Sequence, residues 1–302
     1  LDERRVARGG LDFETVEAKV KLDENGKPLE VVIRERTQAT NMIEEAMIAA
    51  NEAVARHMRD VEAPMIYRIH ENPDPDALEH IAVVLKEFDY PMKDVHGASP
   101  ATFQRIIKFA HDRPEKRLIN SLLLRALERA RYVDYLAPHF GLASDAYTHF
   151  TSPIRRYPDL IVHRLLRAQL VGALETDQNA ARMVPELAWL AEHSSFMERE
   201  AEMAEDDSVR FKLCELMADH VGETFDAVIT GVSTFGFFVQ LDNTAEGLVH
   251  VESLAGDYYR YDPQRFALVG DDRGRQFRLG QPLRVRLQSV SLADSRMDFE
   301  VV

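Results

Sequence analysis

The most informative run of this sequence is THFTSPIRRYPDLIVHR, residues Thr148–Arg164. Pro153 fixes its own φ near about −65° and restricts the residue before it, and Pro158 can occupy the first turn of a helix. Arg155 and Arg156 are therefore held on a stiff connector at a helix entrance. A planar guanidinium on rigid backbone suits bidentate binding of phosphate. The residues alone also allow a plain surface turn with solvated arginines.

Helical patterns flank this run on both sides. Ile43, Met47, Ala50 and Val54 recur at i, i+4, i+7 and i+11, which predicts a helix over about 40–59. Further helices are predicted over 75–88, 101–111, 115–136, 159–171 and 186–219. Before them, residues 11–37 alternate around an Asn25-Gly26 turn, and this pattern predicts a β-hairpin.

After Gly222 the helical patterns give way to short β-rich segments. They cover residues 224–230, 236–241, 246–251, 282–290 and 297–302. Five strands with a long middle connection predict a small barrel of the OB type. We therefore expect an α+β protein with two domains, a mostly helical one over 1–220 and a five-stranded barrel over 221–302.

The bulk composition limits the classes of protein. A length of 302 residues predicts more than one domain at roughly 100–200 residues each. Cys214 is the only cysteine, which excludes an internal disulfide and fits a cytoplasmic setting. No window approaches the ~20 apolar residues of a membrane span, and the polar opening LDERR is unlike a signal peptide. The absence of an initial methionine leads us to expect a fragment or a processed chain.

The net charge of −14 argues against a protein that coats RNA by simple electrostatics. It leaves a nuclease open, because a narrow basic channel can lie inside an acidic shell and metal-dependent nucleases need carboxylates. Acidic stretches such as Glu198–Asp207 are interpreted as a solvated helix face.

Two strings resemble the RNB family of 3′→5′ exoribonucleases, the ribonuclease II and ribonuclease R group: Thr148–Arg164 and MIEEAMIAAN at residues 42–51. The segment Val221–Val251 resembles the S1-type RNA-binding domain, and this likeness continues to Val302. The HFTSPIRRYPDL wording favours the ribonuclease R type. The resemblance implies that residues 1–220 are the C-terminal part of an RNB catalytic domain.

The same resemblance implies an activity. RNB enzymes hydrolyse single-stranded RNA from its free 3′ end and release nucleoside 5′-monophosphates, and magnesium ions activate a water and stabilise the leaving oxygen. We accordingly expect single-stranded RNA as the partner, magnesium as the cofactor, a cytoplasmic location, no membrane and a monomeric chain.

The helix over 40–59 carries two adjacent glutamates. Glu44 shares a face with Ile48 and Asn51, so we expect it nearer the buried side, whereas Glu45 is expected to point to charged surface. The resemblance places Glu44 in the active site. It also matches Arg155 to the arginine that grips the phosphate near the scissile bond and neutralises charge developing in the transition state.

The resemblance implies four further RNA contacts in the first domain. Phe13, in GGLDF, matches a position that stacks on RNA, and Glu205 matches one that contacts the 3′-terminal ribose in some members. Arg156 and Tyr157 are expected to shape the wall of the RNA channel.

In the second domain, three phenylalanines surround Gly236. Strand alternation puts Phe235 and Phe237 on one face and Phe238 on the other, unless Gly236 bends the strand. The S1 resemblance favours RNA contact for Phe235, Phe238 and His250, and leaves core packing and RNA contact equally open for Phe237. Exposed aromatic rings stack on unpaired bases at ~1–3 kcal/mol per base.

The metal ligands of the RNB family are clustered aspartates on a loop that precedes the region matched here. No D-P-x-x-A-x-D-x-D-D arrangement occurs among the 302 residues, and neither Asp74 with Asp76 nor Asp206 with Asp207 has that context. The cold-shock RNA-binding domains of the family are also expected upstream. We therefore expect no metal ligand in this chain, magnesium bound by upstream residues, and no hydrolysis of RNA by the chain alone.

Two other functions are weighed against the enzyme. The first is a non-catalytic RNA-binding protein, in which the RNB part only supports the barrel. The second is a serine hydrolase using Ser152 and His149, which is disfavoured because no G-x-S-x-G elbow is present.

Overall fold

The structure is a computed structural model. It describes residues 1–13, 17–34, 36–90, 99–113, 115–263, 265–272 and 274–302. Residues 14–16 and 35, which belong to the predicted hairpin segment, lie outside the described residues.

The described helices follow the apolar periodicity of the sequence. In chain order they are α1 (Asp2–Ala7), α2 (Gln38–Asp60), α3 (Pro75–Glu87), α4 (Pro100–Ala110), α5 (Lys116–Ala126), α6 (Tyr157–Leu170), α7 (Gln178–Met183) and α8 (Leu187–Met217). Side chains fix several of the starts. Thr37 and Thr40 form a reciprocal capping box before α2, and Asp74 and Ser99 each accept a backbone N–H at the starts of α3 and α4.

The strands form four described sheets. In chain order they are β1 (Glu17–Leu22), β2 (Pro28–Arg34), β3 (Tyr67–Ile69), β4 (Arg131–Val133), β5 (Thr224–Ser233), β6 (Gly236–Leu241), β7 (Glu246–His250), β8 (Tyr259–Asp262), β9 (Ala267–Gly270), β10 (Gln276–Arg278), β11 (Pro282–Ser291) and β12 (Arg296–Val301). Strands β1 and β2 pair antiparallel, as the Asn25-Gly26 turn predicts.

The predicted barrel is confirmed. Strands β5, β6, β7, β12 and β11 close in the order β11-β12-β7-β6-β5. All pairs are antiparallel except β7 with β12, which run parallel. The helical domain followed by this five-stranded barrel confirms the predicted α+β class.

One predicted helix is too long. The pattern over 115–136 gives a helix that ends at Ala126, because Leu127 takes an extended conformation. Strand β4 follows and pairs with β3, a partner more than sixty residues earlier, in the register Tyr67↔Val133. The sequence patterns predict no strand in the long connection inside the barrel, yet this connection contains the three-stranded sheet β10-β9-β8.

Three apolar cores are present among the described residues. One lies between α3, α4 and α5, a second between α2, β3, β4, α6 and the start of α8, and the third fills the barrel. The cores are linked, because Cys214 and Met217 at the end of α8 belong to the barrel core and Leu279 of the barrel domain belongs to the first.

The barrel is docked on the helical domain at a second place. Gly280 lies against α5 with φ +81°, and a Cβ at this position would come within 2.9 Å of the Leu118 nitrogen. Arg125 of the same helix donates to the Thr230 carbonyl at 2.8 Å. Among the described residues, none of the helices is long and apolar enough to cross a membrane.

Candidate nucleic-acid interface

The first candidate site is a cavity of about 1080 Å³ in the helical domain. Its walls come from the segment after α1, from β2 and α2, and from the loop that leads from β4 to α6. Phe13, Glu44 and Arg156 all line it, so the structure brings together three residues that the sequence analysis assigned to RNA or catalysis.

The charge of this cavity is opposite to that of the whole chain. Four arginines line it: Arg34, Arg36, Arg68 and Arg156. Two carboxylates face them, Asp12 and Glu44. The chain carries a net charge of −14. A basic cavity in an acidic protein concentrates a polyanion at one place instead of over the surface.

The predicted burial of the two adjacent glutamates is wrong. Glu44 is exposed and pairs with Arg36 at 2.9 Å, whereas Glu45 is 7% exposed and pairs with Arg5 at 2.6 Å. Helix α1 covers the Glu45 side of α2 and supplies Arg5, itself 5% exposed. Periodicity along α2 cannot show this, because the partner that makes burial of the carboxylate tolerable comes from another segment.

Arg36 connects two walls of the cavity entrance. It donates to Asp12 Oδ1 at 2.7 Å and to Glu44 Oε2 at 2.9 Å. Asp12 precedes Phe13 directly, so this bridge fixes the half-buried Phe13 ring relative to α2. The carboxylate of Glu44 thus lies at the cavity in an ion pair, in reach of a ligand.

The arginine turn, residues 151–156, separates its two arginines. Arg156 is mostly buried and donates to Asp159 Oδ1 at 2.8 Å, and the same oxygen accepts the Ser152 backbone N–H at 2.8 Å. Asp159 is fully buried, so this bond holds the guanidinium firmly at the cavity. Arg155 is exposed and has no side-chain partner among the described residues.

Tyr157 opens helix α6 and is 52% exposed. Neither it nor Arg155 is among the residues that line the cavity. Glu205 is exposed near the middle of α8 and also lies outside the lining. The predicted RNA roles of these three residues stay predictions.

Sequence reasoning missed part of the cavity floor and its support: Arg68 and His149 line the cavity, and Tyr132 and Glu198 contact them from outside the lining. Arg68 lies 4.5 Å over the Tyr132 ring and pairs with Glu198 at 2.5 Å. The Tyr132 hydroxyl is 2.8 Å from His149 Nδ1. These residues come from β3, β4, α8 and the loop before α6, and no spacing in the sequence joins them. Of these residues, only His149 could have been suspected from the sequence, because it lies close to the two arginines in the chain.

The two histidines of the floor are neutral. Burial, with the charges of Arg156 and Arg68, lowers the pKa of His149 to about 2. Burial, with the charges of His70 and Arg68, lowers the pKa of His139 to about 3. Desolvation disfavours the imidazolium, and nearby cations disfavour it further. Both rings therefore offer hydrogen bonds and aromatic surface, but no charge, near neutral pH.

The pairing of His149 also bears on the serine hydrolase alternative. Its Nδ1 meets the Tyr132 hydroxyl, whereas Ser152 is tied through its backbone N–H to Asp159. Within the described residues no serine–histidine pair is formed here, so a nucleophile with its base is missing.

The second candidate site is the outer face of the barrel. Phe235 is 52% exposed and Phe238 36%, and their ring centroids are 6.2 Å apart in an edge-to-face arrangement. His250 pairs in register with Gly236, so its side chain is on the same face of the sheet as Phe238. The three residues predicted to bind RNA on the barrel are thus neighbours.

Gly236 explains the different fate of Phe237. With φ +152° it begins β6, and Val249 O would lie 2.1 Å from a Cβ placed there. Because of this bend, Phe235 lies before the strand and does not follow the alternation of side chains between the two faces of β6. Phe237 is fully buried and stacks on Phe277 with centroids 4.9 Å apart, which settles its role as core.

The described residues do not fit a magnesium site. Among them, no group of three or more His, Cys, Asp or Glu side chains is arranged to hold a metal ion. The carboxylates of Glu44 and Asp12 are ion-paired with the Arg36 guanidinium, which occupies the place that a metal ion would take between them. The prediction that the metal ligands lie upstream stays a prediction.

Comparison with known proteins supports both resemblances. A profile of the RNB domain matches residues 1–172, and a profile of the S1 RNA binding domain matches residues 218–301. The chain is 41% identical over 305 residues to ribonuclease R 1 of Lactococcus lactis and 42% identical over 306 residues to ribonuclease R of Aquifex aeolicus. These matches cover 99% and 100% of this chain but 37% and 43% of the relatives, so the chain spans about two fifths of their length.

A solved structure has the same fold over the whole chain. Apo RNase R of Mycoplasma genitalium is 26% identical and superposes with a TM-score of 0.94, covering 100% of this chain and 47% of that one. The same protein in complex with ribose methylated single-stranded RNA gives a TM-score of 0.92 with the same coverage. The RNB profile ends at residue 172 and the S1 profile begins at residue 218, so the predicted domain boundary at 220/221 stays a prediction.

Proposed function

The chain belongs to the RNB family, and from that premise we propose that it is the C-terminal part of a 3′→5′ exoribonuclease of the ribonuclease R type. The substrate is single-stranded RNA with a free 3′ end, and the products are nucleoside 5′-monophosphates. One observation carries the proposal: an arginine-lined cavity that gathers Phe13, Glu44 and Arg156 inside a chain of net charge −14.

The chemistry of the cavity suits an RNA strand. Arg68 and Arg156 offer guanidinium groups to phosphate, and Phe13 offers a half-buried ring to a base. Tyr147 and His149 offer uncharged polar edges to ribose hydroxyls and base edges. A single-stranded nucleic acid presents these groups together, because its bases are unpaired.

Arg155 is proposed as the group that stabilises the reacting phosphate. It stands exposed on a turn whose neighbouring residues are fixed by buried bonds, and its guanidinium has no partner to give up among the described residues. A preorganised cation without a competing carboxylate favours the extra charge of the transition state over the ground state. Arg156, already paired with Asp159, is proposed to shape the channel wall.

The barrel is proposed as a separate gripping surface. Phe235, Phe238 and His250 form an exposed aromatic patch on β6 and β7. These strands match the strands of OB-type barrels that bind oligonucleotides. In the M. genitalium protein, the complex with single-stranded RNA keeps this fold over both domains.

We propose that the full-length protein, of which this chain is a part, needs magnesium for hydrolysis. Magnesium in such sites activates a water and stabilises a leaving oxygen. Because the described residues do not fit the ion, we propose that its ligands come from upstream sequence and that the present chain does not hydrolyse RNA alone. In this view the chain binds RNA, but the part of it that the structure describes holds no catalytic metal centre.

The test compares the chain with the full-length gene product. Each is incubated with magnesium and a short 5′-labelled poly(A) oligonucleotide, and the products are separated by length. We expect stepwise shortening from the 3′ end by the full-length protein and intact RNA with the chain. Processive shortening by the chain would refute its proposed inactivity.

The competing function, a non-catalytic RNA-binding protein, gives a different result. In that case both proteins bind the oligonucleotide and neither shortens it. An intact substrate with the full-length protein, under conditions where binding is demonstrated, would therefore select the binding module over the enzyme.

A further inference from the structure

We propose that Asn51 is a positioning residue, which couples helix α2 to the arginine turn and presents the Tyr147 hydroxyl as a hydrogen-bond donor to RNA in the cavity. This inference rests on the proposed function, because it assigns a role toward the same RNA. Asn51 has no role so far beyond lining the cavity, and for Tyr147 the proposed function gives only a general polar edge toward RNA.

The contacts of Asn51 bridge two elements of the site. It is 3% exposed and lies on α2, two helical turns after Glu44 and on the same face. Its Nδ2 atom donates to the Tyr147 hydroxyl at 3.0 Å, and its Oδ1 atom accepts the Phe150 backbone N–H at 3.0 Å. The Asn51 side chain thus links helix α2 to residues 147–150, which lead into the arginine turn.

The direction of these bonds follows from the donors available. A backbone N–H can only donate, so the Asn51 oxygen must face Phe150 and the Asn51 amide group must face Tyr147. The Tyr147 oxygen is then an acceptor toward Asn51, and the hydroxyl proton is left free. Tyr147 lines the cavity and its hydroxyl has no second partner among the described residues, so this proton can be donated to a phosphate or ribose oxygen.

Other bonds hold the same segment independently. The Thr148 hydroxyl donates to the Ile66 carbonyl at 2.6 Å, and the Ser152 N–H donates to Asp159 at 2.8 Å. Loss of the Asn51 side chain therefore leaves the segment attached to β3 and α6. Arg56 and Arg59 of α2 also keep their ion pairs with Asp145, so the change removes only the bond to the Phe150 N–H and the orientation of the Tyr147 hydroxyl.

The test measures RNA affinity of the 302-residue chain with a short labelled poly(A) oligonucleotide. We expect Asn51→Ala and Tyr147→Phe each to lower affinity about three- to tenfold, the range of one hydrogen bond. The double variant should lose no more affinity than the single variant with the larger loss, because both changes act through one hydroxyl. Losses that multiply in the double variant would overturn the coupling.

His57→Ala is the matched control. His57 lies on the same helix and bonds Gln169 of α6 at 2.8 Å, away from the cavity lining. We expect it to lower the melting temperature as Asn51→Ala does and to leave RNA affinity unchanged. An equal loss of affinity would show that general loosening of α2 is responsible, and would overturn the positioning role.

Hydrogen exchange tests the coupling without RNA. Asn51→Ala should speed exchange of the Phe150 amide, whose acceptor it removes, and His57→Ala should not. Unchanged exchange at Phe150 would overturn the inference. Failure of the unmodified chain to bind RNA would instead count against the proposed function, and the exchange result would still decide whether Asn51 holds the turn.

Discussion

At the scale of single residues, two adjacent arginines in one turn have different surroundings. Arg156 precedes α6 with an extended backbone, φ −123° and ψ 117°, and its side chain turns inward to Asp159. Arg155 points outward and is exposed. Asp159 therefore fixes Arg156 at the cavity, whereas Arg155, in the turn before it, has no side-chain partner among the described residues.

This difference predicts the effect of Arg155→Ala in the full-length protein. Turnover should fall by about 100-fold or more, since a preorganised donor to the transition state is lost, and RNA affinity should change little. Single-turnover rates and equilibrium binding measure the two separately. Arg164→Ala, an exposed arginine of α6, is the control. A loss confined to affinity would contradict the transition-state role.

The two glutamates of α2 differ in what they contribute to stability. Glu45 and Arg5 form a pair that is almost completely buried, and Glu45→Ala leaves the buried guanidinium with only the Leu11 carbonyl and the exposed Asp2 as partners. We expect a loss of about 3–5 kcal/mol in the free energy of unfolding, against less than about 1 kcal/mol for Glu44→Ala. Urea denaturation measures both. Equal losses would contradict a buried pairing of Glu45 with Arg5.

The neutral histidines predict a response to pH. The pKa of His149 is lowered to about 2 and that of His139 to about 3, so each binds more protons in the unfolded chain below its ordinary 6.5. Their contribution to stability is therefore complete above about pH 6.5 and is lost as pH falls, by about 2 kcal/mol each at about pH 5. NMR of the two imidazoles should show no titration between about pH 5 and 8. A titration midpoint near pH 6 for the His149 imidazole would contradict the lowered pKa.

At the scale of elements, the face of the barrel depends on register. Gly236 pairs with His250 and Phe238 pairs with Leu248, so β6 and β7 together place the aromatic patch. Phe235 joins it from the turn before β6, where the positive φ of Gly236 redirects the chain. The aromatic patch therefore depends on the register of β6 with β7 and on the bend at Gly236.

We therefore expect Phe235→Ala with His250→Ala to weaken RNA binding by about tenfold or more, the loss of one or two stacked bases, and to leave turnover of bound RNA unchanged. Binding curves and single-turnover rates of the full-length protein test this. Leu292→Ala, at an exposed apolar residue of the β11–β12 turn, serves as the control. A fall in turnover as large as the fall in binding would show that the barrel is no separate gripping module.

At the scale of the whole molecule, the barrel is fixed to the helical domain at two places. The end of α8 enters the barrel core through Cys214 and Met217, and Leu279 enters the core of α3, α4 and α5. Two separate apolar attachments resist rotation of the barrel, since a change of angle at one breaks the other. The cavity and the aromatic patch therefore keep one relative placement.

Gly280→Ala tests this docking. Its Cβ would meet the Leu118 nitrogen at 2.9 Å on a backbone of φ +81°, so both strain and contact oppose it. Gly172, with φ +68° and nothing within 4 Å of a Cβ, has the backbone strain alone. We expect Gly280→Ala to lose about 1–3 kcal/mol more than Gly172→Ala, measured by chemical denaturation. Equal losses would show that the barrel can shift on α5 freely.

Local patterns in the sequence predicted most of the elements. Helices α2, α3, α4 and α8 lie within two residues of their predicted limits, and all five barrel strands were found. Periodicity, caps and turn residues act over a few positions, so they can be recognised along the chain. The helix predicted over 115–136 fails at Ala126 because pairing of β4 with β3, far away in the sequence, overrides the local pattern.

Motifs and local patterns along the chain were enough to infer the family, the barrel and the residues around the arginine turn. The folded chain was needed to show that Glu45 rather than Glu44 is buried, that Arg68 joins Arg156 at one cavity, and that Asn51 holds Tyr147. The physical reason is the same in each case. Burial of a polar side chain depends on a partner from a distant segment, and the chain carries no local pattern that names that partner.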